Sequence, residues 1–235
     1  MFASTVTLRT DAGASFGAYL AGPNRPNGAS VVVLQEIFGV NANMRLVADA
    51  LADAGFTAIV PDLFWRQQPG VELNPATDRE RATELMKGLD LGLAVQDALW
   101  AANYVRTLDG ANGKVGAVGY CLGGKLAYLL SMKAGIDAAA SYYGVGIQGA
   151  LDQMGAVRNP LLLHIAEEDQ LCPPEAQAAI EQAAAAHSKH VKVMRYPGVG
   201  HAFARRGSPV FDLQSAERAD MATIELLRAH LLGAA

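Results

Sequence analysis

The spacing of apolar and polar positions changes character early in this chain. Residues 5–8 and 14–20 alternate apolar with polar around Asp11-Ala12-Gly13, the pattern of an edge hairpin. From Ser30 the pattern becomes continuous: Ser30-Val31-Val32-Val33-Leu34-Gln35 reads as a strand covered on both faces. Helical spacing follows from Asn43 to Ala54 and ends at Gly55, and Phe56-Thr57-Ala58-Ile59-Val60 is a second buried strand stopped by Pro61. Residues 62–76, with Pro69, Gly70 and Pro75, read as loop, and helices are predicted over 77–88 and 92–107. Lys114-Val115-Gly116-Ala117-Val118 is a strand and Leu126-Ala127-Tyr128-Leu129-Leu130 lies in a helix. Further strands are expected at 136–143, 160–166 and 190–196, with helices at 174–187 and 214–232.

Strands and helices of these lengths in alternation indicate an α/β fold: a mostly parallel central sheet with helices on both faces, in one domain of 235 residues. The segment 62–90 is the sizeable insertion between strand units. It is expected to overhang the carboxyl edge of the sheet, where sites form in such folds.

Composition narrows the partners. A net charge of −4 argues against nucleic acid or an anionic membrane surface. The start, Met1-Phe2-Ala3-Ser4-Thr5, has no basic region and no signal-like apolar core. No apolar run is long enough to span a bilayer. Two cysteines do not make a disulfide framework, so a reducing cytoplasm is the expected compartment. Size alone suggests a monomer, and a small molecule is the expected partner.

The candidate chemistry centres on Gly119-Tyr120-Cys121-Leu122-Gly123-Gly124, between a strand and a helix. This is the layout of a nucleophile elbow with cysteine in the place of serine. Small residues flank the nucleophile because the turn is tight, and the first amides of the helix point back toward it. A thiol nucleophile needs a base and a group to orient that base. Asp169, in Glu167-Glu168-Asp169, follows the strand Leu161-Leu162-Leu163-His164-Ile165. His201, in Gly198-Val199-Gly200-His201-Ala202-Phe203, follows the last strand. Cysteine, aspartate and histidine in that order, each just past a strand end, make the triad of a hydrolase. Cys172 lacks an elbow and precedes Pro173-Pro174, while His164, His187, His190 and His230 read as ordinary core or helix-end residues.

A phosphate-binding loop is the rival for the same glycines. Leu126 stands where that motif needs a hydroxyl for magnesium, so the motif fails. There is no C-x-x-C pair and no H-E-x-x-H, and neither a metal nor a cofactor is expected. Glu36 ends the first buried strand in Gln35-Glu36-Ile37-Phe38-Gly39, which puts it at the catalytic rim. The Ile37 amide is placed to join that of Leu122 as an oxyanion donor. Arg205, four residues after His201, and Arg79 and Arg81, in the inserted segment, suggest recognition of a carboxylate, with a solvated charged helix as the other reading of Asp78-Arg79-Glu80-Arg81.

The chain resembles the dienelactone hydrolase family (carboxymethylenebutenolidases) of the α/β-hydrolase superfamily nearly end to end. The resemblance is carried by Gln35-Glu36-Ile37-Phe38-Gly39-Val40-Asn41, Gly113-Lys114-Val115-Gly116, the elbow, Tyr142-Tyr143-Gly144-Val145-Gly146, and Gly200-His201-Ala202-Phe203-Ala204-Arg205. It implies a Cys121, Asp169 and His201 triad, with Glu36 against the thiol and Arg79 and Arg205 on the substrate carboxylate. Phe38 and Tyr143, inside the matching segments, are expected to line the substrate site. The implied reaction opens an enol lactone through an acyl-thioester, without a cofactor. Well-known members carry a tyrosine and a tryptophan where this chain has Thr83 and Met86, so the lactone pocket differs here. A broader carboxylesterase or thioesterase, and a non-catalytic ligand sensor on the same fold, stay open.

Overall fold

The computed structural model describes residues 1–233. Eight strands form one mostly parallel sheet in the order β1-β2-β4-β3-β5-β6-β7-β8. Packing groups the chain into two compact units, Met1–Gly116 and Ala117–Ala235.

In the first unit, β1 (Phe2–Arg9) and β2 (Ser15–Gly22) form the hairpin expected at the sheet edge, in antiparallel register from Phe2 opposite Gly22 to Arg9 opposite Ser15. The turn between them uses Gly13 at positive φ. β3 (Ser30–Leu34) is buried along its whole length and runs parallel to β4 (Thr57–Pro61). Between them, α1 (Ala42–Asp53) is capped by the Asn41 side chain, which accepts from the Met44 N–H at 3.2 Å. α2 (Arg79–Lys87) and α3 (Leu91–Arg106) fall within a residue or two of the spans read from sequence. The segment before them is anchored inward. Asp97, buried on α3, accepts from Trp65 at 3.0 Å and from both terminal nitrogens of Arg66. The Gln35 side chain accepts from the Leu63 N–H at 3.1 Å.

β5 (Val115–Tyr120) begins in the first unit and runs into the second. There α4 (Leu122–Leu130) packs on β6 (Ala138–Tyr142). β7 (Leu161–Ala166) lies parallel to β6 on one side and to β8 (Val191–Tyr196) on the other. α5 (Pro174–Ala186) packs on β8, and α6 (Leu213–Leu231) packs on β6 and β7. The strand read over 136–143 is shorter at both ends: Tyr143 leaves it at a φ of 40°. A 3₁₀ segment, Ile147–Ala156, is absent from the sequence reading. Gly146, Gly149 and Gly155 break any helical periodicity there.

Candidate active site

The elbow is a steric necessity of this backbone. A side chain at Gly119 would place its Cβ 1.9 Å from the Gly123 carbonyl oxygen, and one at Gly124 would meet the Gly144 Cα at 2.7 Å. Cys121 therefore turns at φ 56° and ψ −113°, a conformation that side-chain-bearing residues rarely adopt. Its N–H donates to the Tyr142 carbonyl at 3.0 Å, and its own carbonyl accepts from Gly124 at 3.0 Å and Val145 at 3.1 Å. These bonds hold the turn while leaving the thiol to the side. Leu122 is the first residue of α4, where backbone amides have no intrahelical acceptor and carry positive partial charge.

Backbone links bring the other two candidates together. The Glu167 N–H donates to the Tyr196 carbonyl at 3.1 Å, and that of Glu168 to the Val199 carbonyl at 2.9 Å. These bonds tie the loop after β7 to the loop after β8. Asp169 sits in the first loop with one carboxylate oxygen accepting from the Leu171 N–H at 2.8 Å. Its other oxygen meets Nδ1 of His201 at 2.7 Å. Glu167 instead turns outward, to Arg195 at 3.7 Å and the Gly198 N–H at 3.3 Å.

The electrostatics of His201 follow from this placement. Burial disfavours the charged ring. The Asp169 hydrogen bond, then the hydrogen bond and charge of Cys121, outweigh burial and lift its pKa from 6.5 to about 10. Nε2 is buried. Asp169 fixes Nδ1, so Nε2 is the atom left for proton transfer. Tyr143, buried, sets the edge of its ring against His201 with centroids 5.0 Å apart.

The remaining candidates lie as follows. Glu36 is buried at the end of β3, with 1% of its surface exposed, so it is not a solvated surface acid. Phe38 is buried and Ile37 half-buried in the same turn. Arg205 is half-buried in the loop after His201. Arg79 is exposed at the start of α2 and, with Glu80, Thr83, Glu84 and Lys87, lines a shallow depression. Arg81 pairs with Glu84 and donates to Gln68 at 2.7 Å, a structural engagement. Cys172 is buried, and burial followed by the charge of Asp169 pushes its thiol up to about 11. His164 is buried, and burial together with the Arg218 charge lowers its ring to about 3. Among the described residues no cluster of three or more His, Cys, Asp or Glu is placed to hold a metal ion. No helix among them is long and apolar enough to cross a membrane.

The structure adds what sequence reasoning missed. Among the described residues the side-chain-bearing positions at positive φ are Cys121, Tyr143 and Ala202. Only Cys121 carried a sequence signal, its flanking glycines. Nothing in the residue types of Tyr143 or Ala202 announces a strained backbone.

Known proteins similar to this chain agree with one another. The model of the dienelactone hydrolase family matches residues 16–231. Carboxymethylenebutenolidase 1 of Cupriavidus pinatubonensis is 37% identical over 229 residues, 97% of each chain. The carboxymethylenebutenolidase of Pseudomonas putida is 36% identical over 229 residues, again 97% of each. The solved dienelactone hydrolase of Anabaena variabilis superposes with a TM-score of 0.70 at 18% identity, covering 98% of both chains, which speaks for the fold. The match over nearly the whole chain, together with relatives above 30% identity, assigns this protein to the dienelactone hydrolase family, enzymes that hydrolyse ester and lactone bonds.

Proposed function

We propose that this enzyme opens an enol lactone bearing a free carboxylate, with Cys121 as nucleophile, His201 as acid and base, and Asp169 orienting His201. The observation that carries the reading is the His201 ring. It is held at 2.7 Å by Asp169 on Nδ1 and lifted to about 10 by Asp169 and Cys121 together against the cost of burial. At neutral pH such a ring is protonated, which stabilises a thiolate beside it.

In this scheme the thiolate attacks the lactone carbonyl carbon, and the oxyanion is received by the amides of Leu122 and Ile37. The carbon–oxygen ring bond breaks as the thioester forms. The proton on Nε2 passes to the departing enol oxygen, and the enol rearranges to a ketone. Neutral Nε2 then takes a proton from water, the hydroxide attacks the thioester, and the carbon–sulfur bond breaks to restore thiolate and imidazolium. The thiol limits the substrate. A thiolate leaves a tetrahedral intermediate far more readily than an alkoxide, the conjugate base of an acid about as weak as water, near pKa 15.7. Plain alkyl esters therefore revert, whereas an enol leaving group goes forward.

Family resemblance assigns Arg79 and Arg205 to the substrate carboxylate and Glu36 to contact with the thiol, and Phe38 and Tyr143 lie in the matching segments as pocket wall; in place of His201, Glu36 is the alternative base for the thiol once substrate engages Arg205. A broader carboxylesterase or thioesterase is the second reading. It is favoured by Thr83 and Met86, which are smaller or more flexible than the aromatic residues of well-known members.

The test is a rate comparison between a carboxylate-bearing enol lactone, its carboxyl-blocked analogue and a p-nitrophenyl ester without a carboxylate. The expected result is a kcat/KM at least about a hundredfold higher for the free acid, mostly lost in Arg205→Ala, as for a charged hydrogen-bond pair. Equal rates on all of them, indifferent to Arg205→Ala, establish the broader esterase instead.

A further inference from the structure

Behind His201 the second unit holds a chain of buried polar side chains that the hydrolysis scheme does not use. His164 Nδ1 meets the Tyr196 hydroxyl at 2.8 Å, and its Nε2 meets Thr223 Oγ1 at 2.9 Å. Thr223 Oγ1 meets the Tyr142 hydroxyl at 2.8 Å, and that hydroxyl donates to Asp220 at 3.0 Å. Asp220 accepts in turn from Arg206 at 3.1 Å. One proton assignment satisfies every link. Tyr196 donates to Nδ1, Nε2–H donates to Thr223, Thr223 donates to Tyr142, and Tyr142 donates to the carboxylate. This requires a neutral His164 protonated on Nε2, consistent with a ring whose burial and Arg218 neighbour disfavour charge. The charged groups facing the chain are Asp220, Arg206, Glu217 beside Asp220, and Arg218, the last over the Tyr196 ring at 5.3 Å.

Three members of this relay, Tyr142, His164 and Tyr196, touch residues of the candidate site or their neighbours. The Tyr142 carbonyl holds the Cys121 N–H at 3.0 Å, and the Tyr142 ring stacks on Tyr120 with centroids 4.5 Å apart. The His164 carbonyl holds the Tyr143 N–H at 2.9 Å. The Tyr196 ring stacks on Phe203 with centroids 4.8 Å apart, and Phe203 meets the edge of Tyr143 at 5.4 Å. Arg206 ends the same short stretch that starts at His201 and contains Ala202 at a φ of 66°. A backbone strained at such a point persists only where its surroundings over-determine it.

We infer that the Tyr196–His164–Thr223–Tyr142–Asp220 relay is a positioning frame that sets the spacing between the Cys121 thiol and the His201 ring. It grips the nucleophile through Tyr142 and the histidine loop through Tyr196, Phe203 and Arg206. Its members are positioning residues and touch no reacting atom. The inference rests on the proposed triad.

The test uses Tyr196→Phe, which keeps the stack on Phe203 but removes the hydroxyl, and Thr223→Val, nearly isosteric, with Thr223→Ser as the conservative partner. Two quantities are read in the full-length enzyme: turnover of the enol lactone, and the titration midpoint of the His201 ring by NMR. Both disrupting variants should lower kcat about tenfold with KM within about twofold, as a displaced catalytic group does. They should also move the His201 midpoint down by about one pH unit, and Thr223→Ser should restore both readings. Lower melting temperatures with kcat and the His201 midpoint unchanged would overturn the frame and leave the chain of bonds as core structure. If the wild-type enzyme leaves every enol lactone intact, the lactone reading falls by itself, and the midpoint shift alone decides for or against the frame.

Discussion

Cys121, Tyr143 and Ala202 each hold a backbone conformation that costs about 1–3 kcal/mol. In the proposed scheme, strain of this kind beside one imidazole is preorganisation that keeps the ring from relaxing away. Asp169 is the residue whose hydrogen bond does most to make His201 basic, so Asp169→Asn is the informative change. Asparagine can keep the shape but not the charge. The expected outcome is a kcat about a thousandfold lower or worse, as when the orienting acid of a triad is neutralised. Its stability signature has a defined sign. A histidine raised from 6.5 to about 10 contributes stability that is fully present below pH 6.5 and is lost as pH rises through about 10. The melting-temperature gap between wild type and Asp169→Asn should therefore be widest below pH 6.5 and close toward pH 10; a gap that widens with pH would refute the ion-pair picture. The residues of the proposed triad were visible in sequence because each follows an apolar run that ends in glycine, proline or acid. Tyr143 and Ala202 were not, since backbone angle leaves no mark on residue type.

Among the elements, β5, the elbow and α4 form the unit on which the proposed chemistry depends, and glycine placement is what allows it. The spans of β3, β7, β8, α3, α5 and α6 were readable within a residue or two because continuous apolar runs and helical spacing mark them. The relay behind His201 was not readable. His164 and Thr223 are 59 residues apart, and Tyr142 and Asp220 are 78 apart, so no local pattern connects them. A pair of glycine substitutions tests the elbow. Gly119→Ala drives a Cβ to 1.9 Å from the Gly123 oxygen, whereas Gly149→Ala, in the 3₁₀ segment, meets nothing within 4 Å. Denaturant unfolding should show a loss of about 3 kcal/mol or more for the first and a change within about 0.5 kcal/mol for the second. Comparable stability for the two variants would mean that the turn is not held as tightly as described.

For the whole molecule, family membership settles the class of bond attacked, and in the proposed scheme a thiol nucleophile narrows it to esters whose leaving group is better than an alkoxide. The substrate itself was the least legible feature. Thr83 and Met86 depart from the aromatic pair that the family resemblance leads one to expect, and such a departure names no ligand. One measurement on the intact protein addresses the central claim, that Cys121 forms the acyl-thioester. A lactone keeps its leaving group tethered after ring opening, so the trapped intermediate must gain the full mass of the substrate. Rapid acid quench of the enzyme mixed with enol lactone, followed by intact-mass and peptide analysis, should show that gain on the peptide containing Cys121, removable by hydroxylamine. Turnover with no adduct, or with the adduct on Cys172, would contradict the account.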